Sequence, residues 1–319
     1  MKRAASVCAW VSFGFALLAP RIASAYCRTH ACNPADPAQN CAIDAQHCVT
    51  TGLPLAWPSA CVSFSVQEDG SKKYGITADA FGSMLTAAFA QWVTTSCLDG
   101  SAPSLSIENI GVAACDQVEF NTSAANANVW MFRDDVWPYE GGEDALGLST
   151  VHYDPDTGDI QDVDVEINSA GPKLSIGDPV DPDGADLQSI VTHEAGHFLG
   201  LSHTLIGGST MLGGYTLGDS SQRVIGPDDS DGICAAYLAG RATSTADCSP
   251  RRGFSTVCGG ALPTTTTTTT DDSSSAATKG CAMSSGAAPG KLPVLALPAL
   301  AGLLLLRRRA RVRASRSSA

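Results

Sequence analysis

The sequence is poor in aromatic residues, at 6%, and poor in base across its middle. Three lysines and arginines precede residue 26 and seven follow residue 281. Ten are left between, against all 32 aspartates and glutamates. So acidic a stretch repels nucleic acid and anionic lipid, which argues against nucleic acid as a partner. It suits cationic peptides, although a solvated acidic surface is the plainer reading. The chain also has no G-x-S-x-G elbow, no phosphate-binding loop and no Rossmann fingerprint. Serine-nucleophile, nucleotide-phosphate and dinucleotide chemistry therefore have no visible carrier. Histidine is scarce as well, with 6 in the chain.

Three of those histidines fall within His193-Glu-Ala-Gly-His-Phe-Leu-Gly-Leu-Ser-His203, an H-E-x-x-H-x-x-G-x-x-H motif. Chance yields its five fixed positions in roughly one of 10⁴ chains of this length. On a helix, His193 and His197 share one face and can reach one metal ion. Glu194 leans toward the same ion without ligating it. Gly200 lets the backbone leave the helix with positive φ, and the returning chain brings in His203. Three imidazoles and one open position describe a catalytic zinc site rather than a closed structural one.

At these residues the chain resembles the metzincin zinc proteases, and among them the matrixins. Met211, in Ser-Thr-Met-Leu, matches the Met-turn methionine beneath the zinc ligands. Tyr215 matches a tyrosine that walls the S1′ pocket, with Gly213 replacing the proline usual between them. Pro227–Tyr237 resembles the start of the last helix, with its paired aspartates. Ala145–Val151 resembles the strand that binds substrate, so Leu146, Gly147 and Leu148 become candidate substrate-binding residues. The resemblance covers about residues 50–240. It implies an α+β fold with a twisted, mostly parallel sheet, an antiparallel edge strand and an active-site helix. It also implies a monomeric zinc metalloendopeptidase (EC 3.4.24-like) acting on protein or peptide substrates with Glu194 as general base. A zinc-bound surface adhesion module without general proteolysis is the alternative. No P-R-C-G cysteine-switch segment and no haemopexin-like repeat is present. His30, His47 and His152 are too scattered to rebuild the second, structural zinc site of matrixins.

The flanks read differently. Residues 1–25 combine a basic start, the apolar Val7–Leu18 and Ala23-Ser-Ala25, which is the pattern of a secretory signal. A Cys-rich segment follows over 26–50, then the catalytic domain over 51–240 and a Cys-containing extension over 241–262. Residues 263–280 form a Thr/Ser-rich linker. Residues 281–319 carry Cys281, the 15-residue apolar run Leu292–Leu306 and an arginine cluster. This tail resembles the C-terminal sorting tails of myxobacterial surface proteins, so a sorting protease or the membrane becomes its partner. A plain transmembrane stop-transfer anchor is the alternative. The chain is therefore expected to be exported, to the extracellular space, its matrix or the cell envelope.

Ten cysteines remain once Cys8 and Cys281 are set aside, and an even set in an exported chain implies disulfides. Cys97–Cys115 and Cys248–Cys258 are the expected local pairs. A strand ending at Val66, a helix from Thr77 to about Val93, and strands at 104–110, 117–120 and 128–132 are expected from periodicity. Asp154-Pro-Asp-Thr-Gly158 marks a hairpin turn between Leu146–Tyr153 and Ile160–Asn168. Along the second strand Asp162, Asp164, Glu166 and Asn168 share one face. That face is either a calcium site, which the D-x-D-x-G turn also hints at, or an ordinary polar surface.

Overall fold

The computed structural model describes residues 26–34, 36–120, 126–140, 142, 144–249 and 276–279. The segment read as a secretory signal, the Thr run and the apolar tail segment lie outside them. All described residues belong to one unit, Met1–Ala288. Among them, no helix is long and apolar enough to cross a membrane.

After the short β1 (Cys27–Arg28) come β2 (Cys61–Gln67), α1 (Ala78–Thr94), β3 (Ser106–Ala113), β4 (Val129–Phe132), β5 (Gly147–Tyr153) and β6 (Ile160–Ile167). Two-residue strands β7 (Leu174–Ser175) and β8 (Ala185–Asp186) lead into α2 (Leu187–Phe198). β9 (Leu201–Ser202), α3 (Pro227–Ala236) and β10 (Ala276–Lys279) complete the order. The main sheet runs β10-β5-β6-β4-β2-β3. β2, β3, β4 and β6 pair in parallel, whereas β5 runs antiparallel to β6. This is the expected α+β architecture, with one addition: β10 pairs antiparallel with the outer side of β5.

The core follows from the helix stripes. Thr77 caps α1 by accepting from the Ala80 amide at 3.2 Å. Phe81, Leu85, Ala88, Phe89 and Trp92 then bury one face at helical spacing. Phe89 packs edge-on against Trp130 of β4 and Phe198 of α2, with centroids 5.7 and 5.0 Å apart. The Trp92 indole donates to the Thr192 carbonyl at 3.0 Å, tying the two helices together. β2 is buried along its whole length, as a parallel strand covered on both faces should be.

Three expectations need correction. Cys97 pairs with Cys234 and Cys248 with Cys61; Cys27–Cys48 and Cys32–Cys41 staple the N-terminal segment. The long pairings arise because α1 ends beside α3 and the extension returns to the start of β2, placements invisible in local spacing. Residues 117–120 form no strand. Instead the Glu119 amide donates to Asp164 and the Phe120 ring stacks on His152 at 4.5 Å. Finally, the acidic face of β6 is buried rather than solvated. Asp164 accepts from the Val129 and Glu119 amides, each at 2.9 Å. Glu166 takes Arg133 at 2.5 Å and the Tyr139 hydroxyl.

Candidate metal and catalytic centre

Helix α2 begins where the Asp186 carboxylate accepts from the Ser189 amide at 2.9 Å. The same carboxylate holds Arg223 through two nitrogens, at 2.7 and 2.6 Å. Such a bidentate, charge-assisted pair fixes the helix start firmly. Eleven of the twelve helix residues are buried, because α2 runs through the core beneath the sheet. Its chain then leaves through Gly200 at φ +84°, where a Cβ would sit 2.6 Å from the Leu55 carbonyl. Only glycine satisfies both the conformation and that approach.

The turn delivers His203 to the helix histidines. Its Nε2 lies 3.1 Å from His193 Nε2 and 3.2 Å from His197 Nε2. His193 Nδ1 donates to the Thr210 carbonyl at 2.6 Å and His197 Nδ1 to the Leu201 carbonyl at 2.9 Å. With those protons placed outward, the Nε2 lone pairs point at one another. Nitrogens bound at ~2.0–2.1 Å to a tetrahedral zinc stand ~3.3–3.4 Å apart, so the cluster fits such an ion closely. Burial keeps the rings neutral, as ligands must be. It takes His197 down to about 4 and His203 to about 3, and holds His193 well below its ordinary value.

Glu194 is fully buried beside this cluster. Its Oε2 accepts from the Ser149 hydroxyl at 2.7 Å. A Cβ built on Gly147 would lie 2.8 Å from its Oε1. The N-terminal half of β5 therefore lies directly against the carboxylate, and Gly147 is required there by space. Leu146 and Leu148 are both buried beside it. Ser149 was not singled out from the sequence, since a serine in a strand carries no motif. The signal available was its position two residues from Gly147, on the same side of the strand.

Met211 lies under the helix, so close that a Cβ on Gly196 would meet its sulfur at 2.2 Å. Asp229 of α3 holds this turn, accepting from the Ser209 hydroxyl at 2.5 Å and from the Thr210, Met211 and Gly226 amides at 2.7, 3.1 and 2.7 Å. Replacing it strands those donors in the interior. Asp229→Ala is expected to lower stability by more than about 3 kcal/mol, read by chemical denaturation. Tyr215 is buried, with its hydroxyl donating to the Asp219 carbonyl and accepting from the Asp186 amide at 2.8 Å. Gly213 lies against the His203 ring, where a Cβ would come within 2.7 Å of Nδ1. His152 stands apart, its Nδ1 3.5 Å from the buried Asp162.

A mixed sheet, a helix carrying two converging imidazoles, a third imidazole from the following turn and an adjacent buried carboxylate define a metallopeptidase. The matrixin family model matches residues 56–238, and the chain belongs to that family. No curated protein matches it. The family implies a catalytic zinc, and His193, His197 and His203 supply the matching donor set.

Proposed function

We propose that this chain is an exported zinc endopeptidase that hydrolyses peptide bonds in extended protein segments, with Glu194 as general base. The observation that carries the reading is the juxtaposition of three converging imidazole nitrogens with a buried carboxylate on the same helix. Bound by His193, His197 and His203, zinc supplies Lewis acidity toward the scissile carbonyl and acidifies water toward a pKa of ~7. Glu194 takes the proton of the attacking water and passes it to the leaving amine. Ser149 orients the carboxylate through Oε2. The backbone of Leu146, Gly147 and Leu148 receives the substrate chain as an added strand. Tyr215, pinned at its hydroxyl, shapes the pocket beyond the scissile bond. Four disulfides among the described residues favour an oxidising compartment and hence export.

A denatured protein substrate tests the reading. Cleavage is expected to stop on chelation and to return with added zinc. Stoichiometric zinc binding with no cleavage of any unfolded protein would instead favour the adhesion module.

Calcium belongs to this proposal at Asp162. That carboxylate is fully buried on β6, and among the described residues neither oxygen has a hydrogen-bond partner. Burial, then the nearby Glu119, pushes its pKa well above the ordinary value. A carboxyl raised in this way stabilises the fold below its unfolded pKa and loses that contribution as pH rises through the folded value. A cation would offset the loss. Calcium at neutral pH is therefore expected to raise the unfolding midpoint of the parent and not of Asp162→Asn. Equal midpoints with and without calcium in the parent would leave Asp162 as a protonated core group.

A further inference from the structure

Among the described strands, the outer edge of β5 is the place where an extended peptide can add to the sheet and reach Glu194. Gly147 and Ser149 both lie against the carboxylate, so a chain paired with this edge is guided straight to it. That edge is already taken. β10 pairs antiparallel with β5, setting Ala276 opposite Tyr153, Ala277 opposite His152, Thr278 opposite Val151 and Lys279 opposite Thr150. The pairing stops three positions short of Gly147, and the direction of β10 runs from the Tyr153 end toward the Glu194 end. Main-chain pairing of this kind is indifferent to sequence, so a substrate strand that runs on past Ser149 needs the Thr150 and Val151 groups that β10 takes.

We propose that Ala276–Lys279 is an intramolecular inhibitor: it holds Thr150 and Val151 at the far end of the Ala145–Val151 strand, and so blocks a substrate paired at Leu146–Leu148 from extending along that edge. This rests on the endopeptidase reading above and assigns how the same site is restrained. The energetics suit a reversible restraint. Four paired residues bind weakly as a free peptide, but a covalently tethered segment meets its site at an effective concentration on the order of millimolar. In the sequence 26 residues separate Ser249 from Ala276, so the segment is tethered rather than free. Competition of this form raises KM and leaves kcat unchanged.

Alternate N–H groups of a strand face the same neighbour, so one of any two consecutive residues in β10 donates to β5. Ala277→Pro/Thr278→Pro removes that donor in either phase. The full-length zinc-loaded protein and this variant are compared by amide hydrogen exchange over Gly147–Tyr153 and by hydrolysis of a synthetic peptide. In the variant, exchange across β5 is expected to quicken several-fold, and KM to fall roughly 3-fold or more at constant kcat. Identical exchange in the two proteins overturns the pairing whether or not either hydrolyses the peptide. Faster exchange with unchanged KM overturns the inhibition. Intact-mass analysis showing the parent cutting itself beyond Lys279 as fast as it cuts the peptide makes the segment a substrate, and overturns it too. Failure of the endopeptidase reading looks different: neither protein hydrolyses anything, while the exchange difference stands.

Discussion

Glu194→Ala is expected to retain close to one zinc per chain and to lose hydrolysis by a factor of roughly 10²–10⁴. The separation of the two effects follows from the geometry. The ligand nitrogens come from His193, His197 and His203, and the first two place Nε2 3.1 and 3.2 Å from His203 Nε2 without help from the carboxylate. Each helix imidazole is oriented by a backbone carbonyl, Thr210 for one and Leu201 for the other. Removing the Glu194 side chain disturbs neither bond. It does remove the proposed general base, and it leaves the Ser149 hydroxyl without its acceptor. Fold perturbation is expected to be smaller than for Asp229→Ala, because the Asp229 carboxylate accepts from one hydroxyl and three backbone amides whereas Glu194 accepts from the Ser149 hydroxyl. Zinc content by mass spectrometry and kcat/KM on a peptide are the two readouts. Undiminished turnover would end Glu194's role as base.

The metal centre was legible because its chemistry is local. A helix fixes His193, Glu194 and His197, and a glycine-enabled turn fixes His203, all within eleven residues. The start of α1 at Thr77 was legible for the same reason, as was the hairpin closed by Gly158 at φ +77°. What stayed hidden depends on contacts far apart in sequence. Ser149 meets Glu194 across 45 residues and Asp229 holds the Met211 turn across 18. Cys61 and Cys248 lie 187 residues apart. The alternation on β6 correctly placed Asp162, Asp164 and Glu166 on one face. Alternation alone cannot say what covers that face, and here backbone amides, Arg133 and Tyr139 do. A strand at 276–279 gave no periodic signal at all, since Ala-Ala-Thr-Lys has neither apolar–polar alternation nor strong β propensity.

His203→Ala is expected to weaken zinc binding far more than His152→Ala, although both remove one imidazole. His203 supplies one of three converging nitrogens, and its loss leaves two ligands on a single helix face. Losing an outer-shell partner of a metal typically costs ~10–100-fold in affinity. Losing a direct ligand should exceed that, and activity should vanish with the metal. His152 lies on β5 five residues beyond Gly147, or about 16 Å along a strand rising ~3.3 Å per residue. Its neighbours are Asp162 and the Phe120 ring, not the zinc cluster. Its removal should therefore alter stability locally while zinc stays in place. Competition against a chromogenic chelator gives both affinities in one experiment. Equal zinc loss from the two variants would mean that the third ligand has been misassigned. Zinc loss from His203→Ala alone would place the ion on the turn after Gly200, the segment whose backbone only glycine can begin.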